Sequence, residues 1–150
     1  MSKSVAVKWV QGMEFQAQTG SGHSIIMDAR EEVGGQNHGA RPAEMVLVGL
    51  GGCTGMDIIS ILRKMRLNVE RFEMQIDGDE RTEHPKSYEH IEIRYRLWGD
   101  IAPDKAERAI RLSRDRYCVV AHVVSGRASL HYTYQINDGP VAEVSPEPVD

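Results

Sequence analysis

The eighteen residues Met45–Leu62 are apolar almost all the way round, interrupted only by Thr54, Asp57 and Ser60. A helix that is greasy on every side must be covered on every side, so the rest of the fold is committed to covering this one. Arg41-Pro42-Ala43-Glu44 opens it. Proline suits the first helical position, where its missing N–H would have no partner, and Glu44 favours the positive end of the dipole. Arg63-Lys64-Met65-Arg66 ends it with cations that suit a C-terminal end. The length approaches the roughly 20 residues a membrane span needs. Asp57 near the middle, glycines at 49, 51, 52 and 55 and strand-like flanks speak against a span, because a central charge is costly in lipid. One 150-residue protomer is small for burying such a helix. Shared burial between two protomers is the simplest solution, and a homodimer is expected.

The flanks read as strands. Val5–Val10 alternates, Gln11-Gly12 marks a tight turn, and Met13–Thr19 and His23–Asp28 follow with Gly20-Ser21-Gly22 between them. Alternation broken by glycine turns signals a β-meander. Ala29–Ala40, with four polar or glycine breakers, is a loop. Beyond the helix, Val69–Asp77 and Tyr88–Trp98 alternate around a turn at Gly78–Lys86. Pro103–Arg116 has helical amphipathicity, Cys118–Val124 continues it or starts a new turn, and Leu130–Ile136 is a last strand. The expected class is α+β. The expected organisation is one domain over residues 1–137 and a loose, acidic, proline-containing tail over 138–150.

Eighteen basic against 22 acidic residues give a net charge of −4. That balance argues against a nucleic-acid partner, which favours a basic face. The start, Met-Ser-Lys-Ser and an alternating run, lacks the apolar core of a signal peptide. A cytoplasmic, reducing setting is the expectation, where two cysteines are catalytic, redox-active or inert bystanders rather than a structural bridge.

Those cysteines are Cys53, inside the glycine-rich helix, and Cys118, 65 positions later. Neither belongs to a Cys-x-x-Cys pair, which removes thioredoxin-type and zinc-ribbon readings. Gly49-Leu50-Gly51-Gly52 superficially suggests a dinucleotide turn. It lies inside a helix already begun at Pro42, with no parallel βαβ pattern around it. Its glycines are better explained by close packing. Cys53, Cys118 and His122 would supply three zinc ligands with no obvious fourth. No metal and no cofactor are expected.

Arg41-Pro42-Ala43-Glu44, the apolar run and Gly52-Cys53, together with Arg116-Tyr117-Cys118-Val119-Val120, resemble the two cysteine motifs of the OsmC/Ohr family of hydroperoxide reductases. Gly51 to Leu62 is similar to the OsmC-like branch, and the resemblance runs from Val5 to Ile136. It implies an OsmC-like fold of mostly antiparallel sheets with a long buried central helix, in an intertwined homodimer. It also implies a two-cysteine peroxidase of oxidative-stress defence. Cys53 would attack an organic hydroperoxide and become a sulfenic acid, Cys118 would resolve it to a disulfide, and a dithiol reductant would reopen the bridge. A pocket lined by Met45, Leu50 and Met56 would suit an organic peroxide.

In the family's peroxidase branches an arginine from the N-terminal strands activates the cysteine, held by a glutamate just after the proline. Residues 1–28 hold no arginine here, and Ala43 follows Pro42. Arg41 is the candidate activator and Glu44 the candidate partner, although nine positions at about 100° each turn Glu44 about 180° from Cys53. Asp57, one turn after Cys53, would raise a neighbouring thiol's pKa unless it is paired. The alternative is a stress-related OsmC-like protein that binds a small molecule without peroxidase activity.

Overall fold

The structure, a computed structural model, describes residues 2–150. Period-two alternation produces strands where expected. β1 (Val5–Gln11), β2 (Glu14–Thr19) and β3 (Ser24–Met27) form an antiparallel sheet in that order. Its register runs from Val5 opposite Thr19 to Trp9 opposite Phe15, and from Phe15 opposite Met27 to Gln18 opposite Ser24. Gly12 turns between β1 and β2 with φ +51°, a left-handed value that costs glycine little. This sheet and the following loop belong to a unit that ends at Val46. Within it, both oxygens of buried Asp28 accept backbone N–H groups, from Ala29 (2.7 Å), Gln36 and His38 (each 3.1 Å).

The long apolar segment forms α1 (Pro42–Lys64). By length and composition it would also pass for a membrane span. Leu47 opens a second unit that holds the rest of the helix, β4 (Val69–Glu80), β5 (Tyr88–Gly99), α2 (Pro103–Leu112), α3 (Val119–Ser125), β6 (Ser129–Ile136) and β7 (Ala142–Glu143). The sheet order is β4-β5-β6-β7. Its pairs are antiparallel except β5 with β6, which run parallel because α2 and α3 carry the chain across between them. The inward series Ile91, Ile93, Tyr95, Leu97 is buried while Arg94 and Arg96 point to solvent. Fold class and dominant strand sense are as the sequence implies.

Glycines let α1 approach the sheet. A Cβ on Gly51 would lie 2.9 Å from Ile76, and one on Gly55 would lie 2.8 Å from Met74. The core that results joins Leu50, Ile58 and Leu62 of α1 to the β5 series, Ala109 and Ile110 of α2, and Tyr132 of β6. Only one side of the helix is covered in this way. Val48 and Met56 remain 60% and 76% exposed.

Three expectations change. Gly78 belongs to β4 rather than to a turn, pairing with Ile91 where the Tyr88 ring leaves no room for a Cβ. The second helix stops at Leu112, and Ser113–Tyr117 widen into a π-helical turn before Cys118. The segment expected to be a loose tail is built into the fold. β7 pairs with β6, Val144 and Val149 are buried, and Arg111 and Arg114 donate to carbonyls of Ser145, Glu147 and Pro148 at 2.6–3.0 Å. Its carbonyls accept from helix arginines that composition alone does not connect to it.

Candidate active site

Cys53 lies in the middle of α1, half-buried and packed against the core of the second unit. Cys118 reaches it from the other side of the chain through the π-helical turn. The Cys118 N–H closes that turn on the Ser113 carbonyl at 2.8 Å, and the backbone then straightens at Cys118 (φ −73°, ψ 101°) before α3 begins. One extra residue in a helical turn re-aims the side chain that follows, which is why such turns recur at functional sites. The Cys118 side chain is fully buried, and its sulfur accepts the Ala121 N–H at 3.3 Å.

The two sulfurs and a carboxylate oxygen of Asp57 lie within 4.8 Å of one another. Cys118 is pushed up to about 12, first by burial and then by its hydrogen bond to Cys53, with Asp57 adding a smaller push and the Ala121 N–H opposing. A thiol raised that far is protonated at neutral pH. The dyad is therefore asymmetric, with half-buried Cys53 beside a fully buried, protonated Cys118. A disulfide needs about 2.05 Å between sulfurs, so closing the bridge asks for a further approach of the two side chains.

A buried polar chain leads away from this cluster. The Tyr95 and Thr54 hydroxyls meet at 2.8 Å, those of Thr54 and Ser113 at 3.0 Å, and Ser113 donates to Asp57 Oδ2 at 2.9 Å. A carboxylate only accepts and Ser113 has one proton. With that proton spent on Asp57, the remaining hydroxyls align from Tyr95 through Thr54 to Ser113. Burial holds the Tyr95 phenol far above its ordinary range, so it serves as a donor. Asp57 also lines a cleft of about 390 Å³ together with Lys64, Arg108, Leu112 and Tyr117. A second, more open hollow of about 640 Å³ runs along α1 past Gly52, Gly55, Met56, Phe72 and Met74. Met56 lines it as the sequence suggests, but Leu50 is fully buried in the core.

Arg41 and Glu44 are engaged at the start of α1. The Glu44 carboxylate accepts the Arg41 N–H at 2.9 Å, the back-reach of a capping box. The Arg41 guanidinium donates to the Gly39 carbonyl (2.9 Å) and Asn37 Oδ1 (2.7 Å). His122 is exposed, with Nδ1 2.9 Å from the Cys118 carbonyl. A carbonyl only accepts, so that nitrogen donates. The third group beside the sulfurs is Asp57 rather than His122. Glu14, Asp28 and His38 form another cluster, in the first unit, where Asp28 is already spent on the loop backbone. Sequence reasoning missed Ser113, Thr54 and Tyr95 as neighbours of the site. The available signal was one polar residue each in an otherwise inward-facing series, such as Tyr95 after Ile91 and Ile93.

The model of the OsmC-like protein family matches residues 35–133, which include both cysteines. YhfA of Escherichia coli is 34% identical over 131 residues, covering 87% of this chain and 95% of that protein. A solved structure from Aquifex aeolicus is 31% identical, with a TM-score of 0.82 over 91% of this chain and 97% of the other. An organic hydroperoxide resistance protein OsmC from Legionella pneumophila shares the fold with a TM-score of 0.69 at 12% identity, over 90% of this chain and 97% of that one. This chain belongs to the OsmC-like protein family.

Proposed function

We propose that this chain is a thiol-dependent peroxidase acting on organic hydroperoxides in oxidative-stress defence. One observation carries the reading, the sulfur of half-buried Cys53 within 4.8 Å of the sulfur of buried Cys118. The less buried member, Cys53, is the one offered to a peroxide. As thiolate, Cys53 attacks the outer oxygen, the O–O bond breaks, and the substrate leaves as an alcohol after taking a proton. Cys118 then attacks the Cys53 sulfenic sulfur and displaces its hydroxyl. A disulfide forms, water leaves, and an external dithiol reopens the bridge while becoming a disulfide itself. The open hollow along α1 offers mostly apolar surface, which favours an alkyl peroxide over hydrogen peroxide.

The same reading includes a homodimer, because the uncovered side of α1 leaves large apolar side chains in water. The test is peroxide consumption with tert-butyl hydroperoxide and dithiothreitol, with Cys53→Ser as the blank. Turnover well above the blank supports a peroxidase, and equality with the blank removes it. A second reading has one observation in its favour. Residues 1–28 contain no arginine, and Arg41 is occupied by Asn37 and Gly39. A protein without an activating cation would bind a small apolar molecule rather than reduce it, and saturable binding without turnover would identify it.

A further inference from the structure

Closing a disulfide between a sulfenic acid and a thiol moves a proton as well as electrons. The Cys118 thiol must lose its proton as its sulfur attacks, and the hydroxyl leaving Cys53 must gain one to depart as water. Cys118 is buried, and hydroxide is scarce near neutral pH, so prompt removal of its proton calls for a base fixed beside it. Asp57 has the required position. Its carboxylate lies within 4.8 Å of both sulfurs, a span that one water or a side-chain rotation closes. Ser113 fixes one carboxylate oxygen at 2.9 Å and is itself completely buried. Asp57 also lines the cleft with Lys64 and Arg108, which offers its proton a route of exchange with solvent.

We infer that Asp57 is the proton carrier of disulfide closure, with Ser113 as its positioning residue. This inference rests on the two-cysteine reading above. In the step, the S–S bond forms as the Cys53 S–O bond breaks. The Cys53 sulfur is reduced, the Cys118 sulfur is oxidised, and the proton passes from Cys118 through the Asp57 carboxylate to the leaving oxygen. The charged and titratable groups facing this carboxylate are Cys53 and Lys64 on α1, Arg108 on α2, Tyr117 and Cys118 beyond it, and Tyr95 on β5. A carboxylate beside a peroxidatic cysteine is otherwise a liability, since it disfavours a thiolate. A proton-carrying role gives it a reason to be there.

The test needs no peroxide. Reduced protein treated with dithiobis-nitrobenzoate releases one thionitrobenzoate as Cys53 is capped, then a second as Cys118 attacks that mixed disulfide. The second phase is unimolecular, independent of reagent concentration, and reports deprotonation of Cys118, since thionitrobenzoate leaves without a proton. In Asp57→Asn that phase slows at least about tenfold near neutral pH, while the first does not slow. Its rate then climbs about tenfold for each pH unit as hydroxide replaces the lost base. Ser113→Ala, which keeps the carboxylate but not its anchor, shows a smaller loss and a shifted profile. A second phase in Asp57→Asn as fast as wild type between about pH 6 and 9 overturns the inference and leaves the dithiol intact. No second release from wild type overturns the cysteine pairing, and the proton carrier falls with it. Should Asp57→Asn unfold, both releases become dependent on reagent concentration, and the Ser113→Ala profile then decides: a wild-type profile overturns the inference, a shifted one supports it.

Discussion

Thr54 on α1 and Tyr95 on β5 share a 2.8 Å hydrogen bond in the core, and Thr54 hands it on to Ser113 at 3.0 Å. Tyr95 is also the middle ring of a stack, with Phe72 at 6.2 Å and Tyr132 at 6.3 Å between centroids. One residue thus ties the cysteine-bearing helix to the sheet both by a polar link and by apolar contact.

Removing the two halves of that link should cost different amounts. Tyr95→Phe keeps the rings and leaves Thr54 bonded to Ser113, so a loss of about 1 kcal/mol is expected. Thr54→Val strands the Tyr95 hydroxyl and breaks the chain to Ser113, and about 2–3 kcal/mol is expected. Urea unfolding of both variants measures this, and equal losses would show that the chain is not a connected unit.

Cys118 supplies an alkaline signature. Its folded-state value is raised from 9.0 to about 12, so the folded protein holds the neutral thiol more firmly than the unfolded chain does. That contribution is complete below about pH 9 and is lost as pH rises toward 12. Between those limits wild type should lose up to about 1.4 kcal/mol per pH unit from this group alone. Cys118→Ala lacks it, so the stability gap between the two narrows above about pH 9. Denaturant midpoints at several alkaline pH values read the gap. A gap that stays constant would mean that Cys118 is not held as a thiol.

The uncovered face of α1 predicts association. Sedimentation should find wild type as a dimer, and Met56→Asp, which places a charge on a side chain 76% exposed in the single chain, should shift it toward monomer by at least about tenfold in dissociation constant. A monomeric wild type at micromolar concentration would remove the proposed shared burial.

Much of the architecture was legible because it follows from periodicity. β1 to β3, α1 and the β4–β5 pair come from alternation and from one apolar run, and these signals survive folding because they are what folding buries. The π-helical turn was not legible. Ser113–Tyr117 reads as more of α2, and nothing local marks the backbone change that points Cys118 toward α1. The ordered C-terminal segment was missed for a related reason. Its anchors are carbonyls accepting from Arg111 and Arg114, and main-chain groups carry no sequence signal. At the site, the two cysteines stood out by type, whereas Ser113 became visible only when the chain brought it 2.9 Å from Asp57, 56 positions away. Asp57 itself was legible in place, as a carboxylate that raises a neighbouring thiol, and it adds such a push to Cys118; its bond to Ser113 was not.

Peptide mapping by mass spectrometry, under non-reducing conditions and after one equivalent of organic hydroperoxide, tests the account most directly. The expected product is an intramolecular Cys53–Cys118 disulfide, formed in wild type and absent from Cys118→Ser, whose Cys53 instead advances to sulfinic acid under excess peroxide. Wild-type protein in which Cys53 accumulates sulfinic acid while Cys118 remains a thiol would contradict it.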